Sequence, residues 1–227
     1  VSFVPEAPSG EIVVSFVFDG SGISENTELV AFERLEKDGL TLTVHADIDD
    51  TAQTVTVLVP KIGTQATANG DKEVHPNKSL TLEDTVSYEN LIPGKEYALN
   101  GVLMDKSTGE AFTVNGETVV SDVTFVPETS SGEAVVTFVF AADGVAENTD
   151  LVVFEYLEQD GRTLAVHTDI DDEGQTVKVL VPKIGTSASV EGKKEINATE
   201  VFTLEDVVSF ENLIPGKEYT LRGVLMD

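Results

Sequence analysis

Apolar and polar positions alternate along most of the chain in short runs, each stopped by Gly, Pro, Asp or Asn. A period of two with such punctuation predicts half-buried β-strands joined by turns, and helical periodicity is nearly absent. Residues 12–18 are apolar and β-branched, Asp19-Gly20-Ser21-Gly22 breaks them, and residues 29–35 resume the strand pattern before a turn at Lys37-Asp38-Gly39. Val55, Val57 and Val59 then alternate with Thr54, Thr56 and Leu58, which predicts a buried face of valines. Pro60 stops this run; lacking the N–H that a ladder needs, it marks Pro60-Lys61 as a junction. Beyond the junction, residues 85–88 read as a short strand and Ile92-Pro93-Gly94-Lys95 as a turn. Tyr97, Leu99, Gly101 and Leu103 alternate along the next strand, Lys106-Ser107-Thr108-Gly109 turns again, and residues 135–140 and 151–157 repeat the earlier apolar runs.

That repetition has a fixed period. Ser131-Gly132-Glu133 aligns with Ser9-Gly10-Glu11, Phe154-Glu155 with Phe32-Glu33, and Lys183-Ile184-Gly185-Thr186 with Lys61-Ile62-Gly63-Thr64, all at 186 − 64 = 122 residues. Two periods, 2 × 122 = 244, exceed the 227 residues present. The expected organisation is therefore residues 1–59 as the late part of one repeat, 60–181 as a complete repeat, and 182–227 as the early part of a further one. Short strands in units of about 120 residues predict an all-β fold of tandem Ig-like β-sandwich repeats.

Composition narrows the function. A net charge of −27, from 14 basic and 41 acidic residues, leaves no cationic face for nucleic acid or an anionic membrane. No apolar run approaches the roughly 20 residues of a membrane helix, and the first residues show neither basic n-region nor apolar h-region. With no Cys, disulfides, thiol nucleophiles and zinc–thiolate sites are excluded.

Polar residues with chemical potential recur at the same period. One repeat contains Thr64, Asp84, Glu155, His167 and Gln175; partial copies are Glu33, His45 and Gln53 before it and Thr186 and Asp206 after it. His and Gln are spaced alike in both copies, 53 − 45 = 175 − 167 = 8. A lone His in a β-domain is usually a surface or edge residue, and Glu33 and Glu155 read alone as edge-strand charges, but strand alternation can turn each Glu inward, where it needs a partner. Residues 169–174 faintly resemble a calcium loop, yet the twelfth position is Leu180 where a bidentate Glu is required, so a solvated acidic turn is the better reading and no metal or cofactor is expected. His75 has no counterpart, Asn197 standing in its place, and receives no role.

Val30-Ala31-Phe32-Glu33 and Val152-Val153-Phe154-Glu155 resemble the signature of the VaFE-repeat, or Thr–Gln ester-bond, domains of Gram-positive surface adhesins. The resemblance implies a spontaneous ester between a first-strand Thr and a last-strand Gln. Carried over, it makes Thr64 the nucleophile, Gln175 the electrophile, and His167, Asp84 and Glu155 the catalytic groups. It also implies a stalk or fibre segment, extracellular and anchored to a cell wall or part of a surface fibre, that is not an enzyme beyond one autocatalytic turnover. The chemistry is coherent. A Thr hydroxyl and a primary amide react only with a base, an acid near the carbonyl oxygen and enforced contact. His167 suits the base, and Asp84 with Glu155, forced together, can share a proton and hydrogen-bond the developing oxyanion.

Other readings are a ligand-binding adhesin module, which 7% aromatic residues and no Trp do little to support; a hydrolase acting in trans, which needs an open cleft; and a Lys–Asn isopeptide-crosslinked, pilin-like domain, for which Lys61 and Lys183 beside Pro are poor candidates. The partners expected are neighbouring copies of the repeat, with no nucleic acid or membrane. Thr186 and Asp206 of one molecule are expected to meet Glu33, His45 and Gln53 of the next, head to tail, with Thr186 and Gln53 sealing the joint. The competing expectation is a segment cut from a longer repeat protein.

Overall fold

The computed structural model describes residues 1–198 and 201–227, and its internal contacts divide them into two units, Val1–Val59 and Pro60–Asp227. The regular structure is all β; among the described residues there is no helix. In the first unit β1 (Thr27–Val30), β2 (Glu33–Lys37), β3 (Leu40–His45) and β4 (Thr54–Val57) form two antiparallel pairs, β1 with β4 and β2 with β3. The β2–β3 turn is made by Asp38 and Gly39, both at positive φ (53° and 79°), the conformation that a two-residue hairpin with right-handed strand twist demands.

Two expectations for this unit are corrected. Residues 12–18 form no strand, although the equivalent residues 134–140 do. The second copy has a partner along its whole length, whereas this unit offers the first copy none, and unsatisfied N–H and C=O groups do not sustain an isolated strand. The valine face is not buried either: Val55 is 65% exposed, while its equivalent Val177 is fully buried, because here no second sheet covers it.

The second unit contains a full sandwich. Its strands are β5 (Lys61–Ala68), β6 (Glu73–Val74), β7 (Leu80–Glu89), β8 (Tyr97–Asp105), β9 (Glu110–Ala111), β10 (Thr113–Val114), β11 (Glu117–Thr118), β12 (Val120–Phe125), β13 (Gly132–Phe140), β14 (Thr149–Gln159), β15 (Arg162–His167) and β16 (Thr176–Val179). One sheet runs β13-β7-β5. The other runs β12-β8-β14-β16-β6, with β15 beside β14 and β9 beside β8. The strand expected over residues 85–88 is the end of the ten-residue β7. Both sheets obey the alternation in the sequence. Leu80, Leu82, Val86 and Tyr88 point inward from β7, Tyr97, Leu99 and Leu103 from β8, and Leu151, Val153 and Leu157 from β14, forming one core with Val136 and Phe138. Each fully buried side chain of this size contributes about 1.5–3 kcal/mol.

After the sandwich comes an antiparallel hairpin of β17 (Lys183–Ser189) and β18 (Glu205–Glu211). It is joined to the sandwich by named contacts. His75, given no role by the sequence, bonds Leu180 O through Nδ1 and the Tyr219 hydroxyl through Nε2, both at 2.8 Å. Since a carbonyl can only accept, Nδ1 carries the proton and Nε2 accepts from the hydroxyl. Lys217 Nζ pairs with Asp71 Oδ2 at 2.9 Å, and Asn212 Nδ2 donates to Val181 O at 2.9 Å. Leu180, Lys217 and Tyr219 thus hold the early turns of the sandwich through Asp71 and His75, and Asn212 fastens the linker.

Candidate functional site

The inward rows contain polar residues where apolar ones belong. Asp84 occupies the buried row of β7 between Leu82 and Val86, and Glu155 that of β14 between Val153 and Leu157; both are fully buried. On β5, Thr64 shares the inward parity of the buried Ala66 and Ala68, whereas Thr67 lies on the opposite parity. Ala66 is the register partner of Asp84, which sets Thr64 one inward position along β5 from that carboxylate. Glu155 is flanked in register by His167 on β15 and Gly101 on β8. Gly101 is required: a Cβ there would lie 2.5 Å from Glu155 Oε1 and 2.5 Å from Phe138 Cζ, so the missing side chain makes the space that the carboxyl fills.

Gln175 is delivered by a braced turn. Its N–H donates to Asp172 O (3.2 Å), and its carbonyl accepts from Val153 N (3.2 Å) on β14. The carbonyl just before it, Gly174 O, accepts from Ala66 N at 3.0 Å, so the chain entering β16 is tied to the strand that carries Thr64. The structure thus brings Thr64, Asp84, Glu155, His167 and Gln175 into one buried region. His167 does not hydrogen-bond Thr64, whose Oγ1 has no partner; its Nε2 is engaged with Asp172 Oδ2 at 2.9 Å. Lys61 and Lys183 are exposed, the wrong setting for an isopeptide lysine.

The electrostatics follow from burial. Desolvation pushes the Glu155 carboxyl up to about 9, and the Asp84 charge pushes the same way. Asp84 is also raised by desolvation, to about 6, against the opposing pull of His167, the Gln65 N–H and Lys72. At neutral pH Glu155 holds its proton and donates it to an ionised Asp84, two carboxyls sharing one proton in an apolar setting. Thr64 Oγ1 and both Oε1 and Nε2 of Gln175 have no hydrogen-bond partner. Buried, unpaired polar atoms cost about 1–3 kcal/mol each, so the Thr64 hydroxyl and the Gln175 amide, left without partners beside that pair, call for a reason other than packing.

Three residues of the site escaped the sequence reading. Gly101 was seen only as part of an alternation. Asp172 orients the imidazole through Oδ2 and braces Gly174 N through Oδ1 at 2.7 Å; the signal was present, because His45 pairs with Asp50 (3.1 Å) at the same spacing, 50 − 45 = 172 − 167 = 5. Lys72 donates to Gly174 O at 2.6 Å, and its copy, Lys194, lies one period on.

The partial copies are only partly assembled. In the first unit Glu33 Oε2 accepts from Gln53 Nε2 at 2.8 Å, and Glu33 is the register partner of His45. In the second unit Ala188 pairs in register with Asp206, as Ala66 does with Asp84, but both Thr186 and Asp206 are exposed.

Comparison with known families decides what this constellation belongs to: the T-Q ester bond containing domain matches residues 1–57, 60–179 and 182–227. The chain belongs to that family. Among solved structures the chain is similar to a bacterial adhesin from Mobiluncus mulieris containing intramolecular disulfide, isopeptide and ester bond cross-links, at 16% identity over 66% of this chain and 76% of that one, TM-score 0.48. A second crystal form of that adhesin matches at 14% identity over 67% and 75%, TM-score 0.42. A putative β-galactosidase from Bacteroides fragilis matches at 15% identity over 66% of this chain and 20% of that one, TM-score 0.37. None of the curated proteins compared matches this chain.

Proposed function

We propose that residues 60–181 crosslink themselves through an ester between Thr64 and Gln175, and that the chain is a stalk or fibre segment of a bacterial surface adhesin. The observation that carries this reading is a buried cluster in which the Thr64 hydroxyl and both polar atoms of the Gln175 amide have no hydrogen-bond partner beside two carboxyls that share one proton, the residue types an ester-forming reaction consumes or needs. Thr64 Oγ attacks the Gln175 side-chain carbonyl carbon as His167 Nδ1 takes the hydroxyl proton. A new C–O bond forms. The C–N bond to Nε2 then breaks, and the same proton leaves with the nitrogen as ammonia. The protonated Glu155 and its partner Asp84 stabilise the oxyanion, and Asp172 holds the imidazole in the tautomer whose Nδ1 is free. Burial excludes the water that would hydrolyse the product. The step happens once per domain and needs no cofactor or outside substrate.

Mechanical benefit follows from placement. Thr64 is on the first strand of the sandwich and Gln175 at the entry to its last, so a pull along the chain meets a covalent bond before strands peel. Closing a loop of order 100 residues contributes about 4–5 kcal/mol on chain-entropy reasoning. Intact-mass measurement with peptide mapping tests the reading: loss of one ammonia and a Thr64–Gln175 linked peptide support it, and an unmodified mass with both peptides free overturns it.

The same proposal extends to partners and place. Thr186 and Asp206 would complete Glu33, His45 and Gln53 of a neighbouring copy of the repeat, at a cell surface or wall. Exposed apolar residues support it: Phe16 is 62% exposed where its equivalent Phe138 is 1%, and Leu221 64% where Leu99 is fully buried. Boil-resistant multimers on a denaturing gel that vanish in Thr186→Ala test this extension; a monomer band alone overturns it.

A further inference from the structure

The Gln175 amide has no polar anchor of its own, since neither Oε1 nor Nε2 finds a partner. Its position must therefore be set through the backbone. The peptide unit immediately before it is held at one atom, Gly174 O, by two donors: Ala66 N at 3.0 Å and Lys72 Nζ at 2.6 Å. Both donors belong to β5, the strand that carries Thr64, and the turn that follows it. The segment that carries the nucleophile thus grips the peptide that carries the electrophile, and one of the two grips is a side chain.

The second copy shows the same lysine without that peptide. Lys194, one period after Lys72, turns back on its own hairpin, bonding Ala188 O and Ser187 Oγ. Ala188 is the equivalent of Ala66. Lys72 and Lys194, equivalent in sequence, thus have different partners.

We propose that Lys72 is a positioning residue for the ester-forming reaction: by bonding Gly174 O it seats the Gln175 carbonyl carbon against Thr64 Oγ. This rests on the Thr64–Gln175 reading above. The charged groups around Lys72 are Asp84 on β7 and Asp172 and Glu173 in the turn before β16, with Nζ also 3.4 Å from Glu173 O. Desolvation lowers the Lys72 pKa, and the charges of Asp84, Asp172 and Glu173 oppose that shift. An ionised donor on a carbonyl is stronger than a neutral one. It also lies where it favours the ionised form of Asp84.

Kinetics on the full chain test this. The fraction that has lost ammonia is followed by intact mass from purification onward in wild type, Lys72→Met and Lys72→Arg. Misplacing a reacting atom by about 1 Å costs about 10²-fold in rate, so Lys72→Met is expected to crosslink about 10- to 100-fold more slowly, and Lys72→Arg, which keeps charge and donors, to recover most of the rate. Circular dichroism of Lys72→Met in a Thr64→Ala background checks that the uncrosslinked fold persists at the assay temperature. Should it not, Lys72→Gln, which keeps a donor without the charge, takes its place and is expected to be slowed as well. A wild-type rate in the folded neutral variant, or an Arg variant as slow as Met, overturns the role of Lys72. A wild-type chain that never loses ammonia overturns the ester reading instead, so the two failures are distinguishable.

Discussion

The complete repeat and the first unit contain the same Glu, His and Gln, yet they handle them differently. In the first unit Gln53 Nε2 is bonded to Glu33 Oε2, His45 leans on Asp50, and Glu33 is only half buried. In the complete repeat Glu155 is fully buried beside Asp84, and the Gln175 amide has lost its carboxylate partner. The difference lies at the amide nitrogen: Gln53 Nε2 has a carboxylate acceptor and Gln175 Nε2 has none, while the Oε1 of both is buried without a partner. The second carboxyl also changes the electrostatics: in the complete repeat burial and the Asp84 charge raise Glu155, so that it holds its proton where an isolated glutamate would be ionised.

The largest effect on this contrast comes from removing the bond. Thr64→Ala is expected to keep the fold but lower the melting temperature of the complete repeat by roughly 10–20 °C, the thermal equivalent of about 4–5 kcal/mol at this size, as scanning calorimetry would show. An unchanged transition would sink the crosslink. Next comes Gly101→Ala, whose Cβ collides with Glu155 and Phe138; a loss of about 1–3 kcal/mol or more in urea titration is expected, together with an uncrosslinked mass.

The pH dependence sharpens the comparison further. In Thr64→Ala the raised carboxyls bind protons more tightly folded than unfolded, so their stabilisation is fully present below the unfolded values and is lost as pH rises. Asp84 loses its part between about 3.8 and 6, and Glu155 between 4.5 and about 9. Melting temperatures should therefore fall from mildly acidic to alkaline pH. Glu155→Gln in the same background should flatten the alkaline part, and an equal slope in both would deny Glu155 its raised value. Asp172→Ala, by freeing the imidazole and Gly174 N, is expected to slow ammonia loss by about tenfold, a fraction of the 10²–10⁴ that a positioned base supplies. The smallest effect belongs to the joint: His75→Ala with Lys217→Ala should change the melting temperature little, an exposed ion pair being worth about 0.2–1 kcal/mol, while small-angle scattering should show a wider spread of repeat orientations.

Much of this was legible along the chain, and the reasons are local. Strand alternation placed Leu99, Gly101 and Leu103 on one face because side-chain direction in a strand depends only on position. The five site residues were legible because repetition separates meaningful polar positions from incidental ones. Residues 12–18 and Val55 were misjudged for the opposite reason. Their pattern is that of strands with a buried face, but burial requires a second sheet, and no local signal tells whether one is present. Asp172 and Lys72 were passed over because an acidic turn and a surface lysine look alike whether they are solvated or clamped to a neighbour.

The sequence by itself determined the all-β architecture, the 122-residue period and the residue types of the site, since each depends on spacing along one chain. Only the tertiary structure decided that Glu155 keeps its proton, that Gly101 makes its space, that Lys72 grips Gly174 and that His75 joins the sandwich to the following hairpin. Those outcomes depend on desolvation and on contacts between strands far apart in the chain, and both exist only once the two sheets close on each other.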